Sequence, residues 1–117
     1  MNVVYHVSGG TGQGVFEAAR ITGKLAIGVD SDQWAEAPGH VLTSMLKRVD
    51  NATYNAIAGV QQHSFKGGIY SLGLKEEGVG YVYDDHNKSM IPDSVRTRVE
   101  QLKQDIIAGR IKVPSTR

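Results

Sequence analysis

The run Val3-Val4-Tyr5-His6-Val7, broken by Ser8-Gly9-Gly10-Thr11-Gly12-Gln13-Gly14 and answered by Leu25-Ala26-Ile27-Gly28-Val29-Asp30, decides the fold class. Both apolar runs are nearly continuous rather than alternating, the pattern of strands buried on both faces of a parallel sheet. Between them, Val15 to Thr22 places Phe16, Ala18 and Ala19 on one helical face, and Gly23 stands where a left-handed cap ends a helix. A strand, a helix and a second strand make a right-handed crossover onto a parallel sheet. The expectation is an α/β fold.

Outward from this unit, Gln33 to His40 reads as a loop marked by Pro38-Gly39, and Val41 to Leu46 as a third strand. Asp50 suits the N-cap of a helix through Gln62 whose Ala56, Ile57 and Val60 face a core. Lys66-Gly67-Gly68 turns the chain into Ile69–Leu74, Glu76 to Gly80 is a turn, and Tyr81-Val82-Tyr83 a brief extended stretch. Pro92 opens a final helix with Val95, Val99, Leu102 and Ile106 at helical spacing, and Gly109 closes it. The tail Ile111–Arg117 is expected to be extended or frayed. No repeat or linker divides the chain, so residues 1–117 are expected to form one domain.

Composition narrows the function. Thirteen Lys+Arg against twelve Asp+Glu leave a net charge of +1, which argues against nucleic acid or an anionic membrane surface as the main partner. Without cysteine this chain has no disulfide, thiolate zinc site, thiol nucleophile or lipid-modified cysteine. No apolar stretch approaches the roughly 18 residues of a membrane helix, and the start lacks the basic and apolar regions of a signal peptide. The expectation is a soluble intracellular chain, or a piece of something longer. Eight of the fourteen glycines cluster at 9–14, 67–68 and 78–80, marking turns where backbone approaches something closely.

The glycine-rich turn before a helix invites a phosphate or hydroxyl group, because free amides and the helix dipole converge there. The specific motifs fail. Counting from Gly9, Val15 stands where a P-loop needs lysine, and it also stands where the dinucleotide fingerprint starting at Gly10 needs its third glycine. Asp30 and Asp32 begin like a calcium loop, but Trp34 replaces the third oxygen donor. His6, His40, His63 and His86 never fall at zinc spacing, Asp84-Asp85-His86-Asn87 reads as a solvated turn, and no nucleophile elbow surrounds Ser8, Ser44 or Ser71. Neither catalysis, a metal nor a cofactor is called for.

What remains is positional. Ligands of open parallel sheets bind at the carboxyl ends of the strands. Three successive strand ends here offer Gly9-Gly10, Asp30 and Lys47. A carboxylate that accepts two hydroxyl protons and an ammonium that donates to the same oxygens suit a neutral polyhydroxylated ligand such as a sugar. The same two residues read equally well as an ion pair at a sheet edge.

Five stretches taken in order are more specific: VVYHVSGGTGQGVFEAA from Val3, AIGVDSDQW from Ala26, VLTSMLKRVDNATYNAI from Val41, FKGGIYSLGLKEEGVGY from Phe65 and IPDSVRTRVEQLKQDIIAGRIKVP from Ile91. Together they resemble the C-terminal part of the basic membrane protein family, the purine-nucleoside-receptor-like substrate-binding lipoproteins of ABC importers. The resemblance implies an incomplete three-layer lobe of a type I periplasmic-binding-protein fold, with Asp30 and Lys47 on the ribose hydroxyls and Gly9-Gly10 against the sugar. It places Trp34 in packing near the cleft, and the helix from Asp50 against the other lobe. It further implies a non-catalytic binding module, a purine nucleoside as ligand, an ABC permease as partner and an extracytoplasmic, lipid-anchored setting. The family's first half, with its signal peptide, lipid-bearing cysteine and base-sandwiching aromatics, has no counterpart in these residues. The alternative is a cytosolic stand-alone half-protein with a regulatory or oligomerising role, and a segment-exchanged homodimer is expected in either case.

Overall fold

The computed structural model describes residues 2–114. Strand β1 (Val3–Tyr5), helix α1 (Gln13–Thr22), strands β2 (Leu25–Gly28) and β3 (Val41–Lys47), helix α2 (Val49–Gln61), strand β4 (Val79–Tyr81) and helix α3 (Asp93–Ile107) follow in chain order. They form a sheet in the order β1-β2-β3-β4. The first three strands are parallel, with Val3 opposite Leu25 and Ile27 opposite Thr43. Strand β4 joins antiparallel, Val79 opposite Lys47, so the α/β fold expected from the sequence carries a mixed sheet.

Helix α1 forms where the apolar spacing places it. Phe16 and Ala19 point inward and meet Ala26 of β2, Val41 of β3 and Ala37 of the intervening loop. Gly23 ends the helix at φ 64°, and its N–H donates to the Ala19 carbonyl. His6 is buried beneath the start of α1, its ring edge-on to Phe16 at 5.0 Å. A Cβ on Gly12 would stand 2.3 Å from the imidazole Cε1, so only glycine lets the helix start this close to the ring.

Several expectations need correction. The first strand ends at Tyr5 rather than Val7, and Val4, Tyr5 and Val7 are exposed rather than buried. The cause is position: β1 is the sheet edge, and the core cluster is centred on β2 and β3. Ala56, Ile57 and Val60, read as facing a core, are exposed, and α2 contributes no buried residue. The last short strand begins at Val79, two residues before the expected Tyr81, because Leu46 and Lys47 of β3 extend far enough to pair with Gly80 and Val79. Helix α2 also starts early, at Val49, with Arg48 rather than Asp50 at its N-cap, and Asp50 in its first turn is paired to Arg48 at 2.8 Å. Ile69–Leu74 belongs to no strand, and Ile69, Tyr70 and Leu72 are exposed. Residues 111–114 of the tail are irregular, and 115–117 lie outside the described residues.

The packing is correspondingly open. Helix α3 stands off the sheet across a cavity of about 660 Å³ lined by Met45, Leu74, Val79, Val99, Leu102 and Ile106. Polar tethers span it: the Tyr81 hydroxyl donates to Glu100 at 2.6 Å, and the Arg96 guanidinium lies 4.3 Å from the Tyr83 ring centroid. Burial, reinforced by the bond to Glu100, pushes the Tyr81 phenol up to about 12. The radius of gyration is 16.6 Å, where a compact domain of this length has about 13 Å. The accessible surface is 8590 Å², against about 6,200 Å² for a folded monomer of this mass.

The His6–Gly12 contact yields a stability prediction. Gly12 has ordinary helical φ, so Gly12→Ala strains no backbone and its cost is steric. Overpacking of this kind costs about 1–3 kcal/mol. His6→Ala in the same chain should recover most of that loss, and urea unfolding of the four proteins of the double-mutant cycle measures the coupling.

Candidate binding edge

Parallel pairing sends β1, β2 and β3 out of the sheet at the same edge. Beyond β1 lies the short 3-10 turn Gly9–Gly12, beyond β2 lies Asp30, and β3 ends on Lys47. The Lys47 ammonium sits 2.6 Å from Asp30 Oδ1, and the two side chains are 59% and 53% exposed. Between their backbones, the Lys47 N–H donates to the Asp30 carbonyl at 2.9 Å. The hydrogen bond to Asp30, followed by its negative charge, holds the Lys47 ammonium above the ordinary lysine range.

Asp30 is a non-glycine residue with φ 71°, a conformation that costs free energy unless neighbours impose it. Two side chains do so. Gln33 Oε1 accepts the Val29 N–H at 2.8 Å, and the Gln33 N–H donates to Ser44 Oγ at 3.1 Å. Ser44 is fully buried in β3, opposite Gly28 in β2. Nothing in the sequence singles out Gln33 or gives Ser44 this role, because their meeting depends on the sheet register.

The glycine turn is open on its outer side. Gly9 adopts φ 49°, and no atom lies within 4 Å of where a Cβ would stand on Gly9 or Gly10. The Thr11 N–H and hydroxyl close the turn from within by donating to the Ser8 carbonyl at 3.1 and 2.7 Å. The structure therefore pairs Asp30 with Lys47 directly and brings Gly9 and Gly10 to the same edge. A carboxylate has about four lone-pair sites, so one ammonium contact leaves acceptor capacity for hydroxyl protons.

Asp84-Asp85-His86-Asn87 is a turn, as expected. Buried Asn87 accepts the Asp84 N–H at 2.9 Å and donates to the carbonyls of Leu42 at 3.0 Å and Val82 at 2.9 Å, tying the turn to β3. Trp34 stacks on His86 at 4.1 Å with an interplanar angle of 16°, a partner that the sequence does not suggest. Among the described residues no group of metal-ligating side chains converges.

Comparison with known proteins adds a family to this geometry. The family model described as ABC transporter substrate-binding protein PnrA-like matches residues 1–117. Basic membrane protein D of Borreliella burgdorferi is 34% identical over 97% of this chain and 34% of its own length. An uncharacterized lipoprotein of Pyrococcus furiosus is 46% identical over 68% of this chain and 21% of its own. A solute-binding protein of an ABC transporter system from Aeropyrum pernix superposes with a TM-score of 0.81 at 30% identity, covering 100% of this chain and 41% of that one. The chain thus spans about a third or less of these curated relatives.

The ion pair makes a prediction independent of any ligand. Asp30→Asn should return the Lys47 ammonium to the ordinary lysine value near 10.5, followed by NMR of its side chain. A lysine pKa raised by folding contributes stability that is complete below 10.5 and is lost as pH climbs through the folded value. The variant should therefore be less stable than wild type by the same amount at every pH below 10.5, an amount kept small because solvent screens so exposed a pair, and the difference should vanish as pH climbs through the folded lysine value.

Proposed function

The chain belongs to the PnrA-like family of ABC transporter substrate-binding proteins, and from that premise we propose that it carries the sugar-facing part of a purine-nucleoside site. The observation that supports this reading is the Asp30–Lys47 pair at the ends of neighbouring parallel strands, beside the open Gly9-Gly10 turn. A ribose presents a vicinal diol. Asp30 accepts its two hydroxyl protons, Lys47 donates back to a hydroxyl oxygen, and the uncluttered glycines let the sugar approach the backbone. A neutral ligand held in this way needs no cofactor, and its work is recognition and delivery to an ABC permease rather than turnover. The lipoprotein name of the Pyrococcus relative favours a lipid-anchored, extracytoplasmic receptor as the setting.

A second reading, a half-protein that oligomerises, is favoured by the surface of 8590 Å². The excess over a compact monomer is of the order buried by obligate interfaces, about 2,000 Å² or more. A homodimer that exchanges segments near Lys47 and Gly67-Gly68 would cover the exposed Ile57, Val60, Ile69 and Tyr70.

Two measurements test these readings. In a chain carrying both lobes, Asp30→Ala should weaken nucleoside binding by about 1.5–3 kcal/mol, the range for charge-assisted hydrogen bonds, with the fold intact. Unchanged affinity by calorimetry would leave the pair as a sheet-edge ion pair alone. For the 117-residue chain, light scattering at a few micromolar should give twice the 12.7 kDa chain mass, and a monomer would remove the dimer.

A further inference from the structure

Resting on the reading of Asp30 as the hydroxyl acceptor, the geometry points to Gln33 and Ser44 as positioning residues that hold the Asp30 carboxylate against Lys47 before any ligand arrives. The argument begins with Gly28, the last residue of β2. A Cβ there would stand 2.6 Å from Ser44 Oγ and 2.9 Å from Gln33 Oε1, so the strand end is packed against both polar atoms. Val29 is buried, and its N–H would lack a partner without the Gln33 amide oxygen at 2.8 Å. Gln33 is fixed in turn by its own N–H on the hydroxyl of fully buried Ser44 at 3.1 Å.

These two bonds bracket Asp30. Val29 is anchored on one side and Gln33 on the other, and a Ser31 N–H to Val29 carbonyl contact at 2.9 Å tightens the chain between them. The residue left at the bend is forced to φ 71°, and its carbonyl is bound by the Lys47 N–H at 2.9 Å. With the backbone set on both sides, few rotamers remain to the carboxylate, and one of them meets the Lys47 ammonium at 2.6 Å. The charged group paired with Asp30 is then Lys47. A site whose acceptor is preset in this way binds without the entropy of ordering it. The local pattern is Gly28-Val29-Asp30-x-x-Gln33, completed by a serine from the next strand.

Gln33→Met keeps length and removes the acceptor, Ser44→Ala is nearly isosteric, and Gln33→Glu restores an acceptor oxygen. The first two should abolish the left-handed backbone signature of Asp30, read by Cα shift and three-bond coupling, and bring Lys47 back toward the ordinary lysine range. Gln33→Glu should keep the Asp30 signature. A merely structural role would lower the melting temperature in all three without moving the Asp30 signature selectively. If Ser44→Ala and Gln33→Met fold and leave both the Asp30 signature and the Lys47 titration as in wild type, the positioning role is overturned. Adenosine titrated at millimolar concentration separates the two claims. Loss of the signature together with a several-fold weaker response supports both, whereas loss of the signature with an unchanged response upholds the positioning role and removes Asp30 from ribose binding.

Discussion

Parallel pairing of β1, β2 and β3 is the constraint on which the rest depends. Parallel strands all leave the sheet at one edge, so whatever follows each strand is gathered there without any contact between the following residues themselves. A glycine turn, an aspartate and a lysine that are distant in sequence become neighbours along one rim. The crossover through α1 is affordable in space because Gly12 lets the helix begin against the His6 ring. Phe16 then seals the same helix onto β2 and β3. The binding edge is in this sense a by-product of the hydrogen-bond ladder and a single missing methyl group.

Much of this was legible in the sequence because it is local. The second apolar run, the Gly23 cap and the periodicity of α3 depend on residues within a few positions of one another, and each appears where it was expected, whereas the first run gives a shorter, exposed edge strand. Asp30 and Lys47 were legible for a different reason: strand-end position in a parallel sheet is a topological fact that survives small errors in strand boundaries. The Gln33–Ser44 link, the Trp34–His86 stack and the pairing of β4 were not legible, because each joins separate segments through the register of the sheet. Burial was misjudged at β1 and α2 for a related reason. Apolar spacing states that a face seeks cover and says nothing about where the cover comes from.

The structure accordingly has two characters. Around Phe16, Ala26 and Val41 it is closely packed, and Ser44 and Asn87 there have their polar atoms bonded. Around α2 and α3 it is open, and polar tethers such as Tyr81–Glu100 span what apolar contact elsewhere fills. The relatives are about three times as long as this chain.

The stretch from Asn51 to Phe65 contains no Lys, Arg, Asp or Glu, although it includes nearly all of α2 and its exposed Tyr54, Ile57 and Val60. With no like charges to repel and no ion pairs to screen, association through this helix responds to electrolyte only through the cohesion of water. Ammonium sulfate strengthens such contact, while the exposed Asp30–Lys47 pair weakens as the Debye length shortens. The C-terminal end of β3 thus leads to two surfaces with opposite responses to ionic strength: a rim that favours dilute buffer and a helix face that favours concentrated salt. The same absence of charged gatekeepers leaves α2 as the segment that limits how concentrated the uncovered chain can be kept in solution.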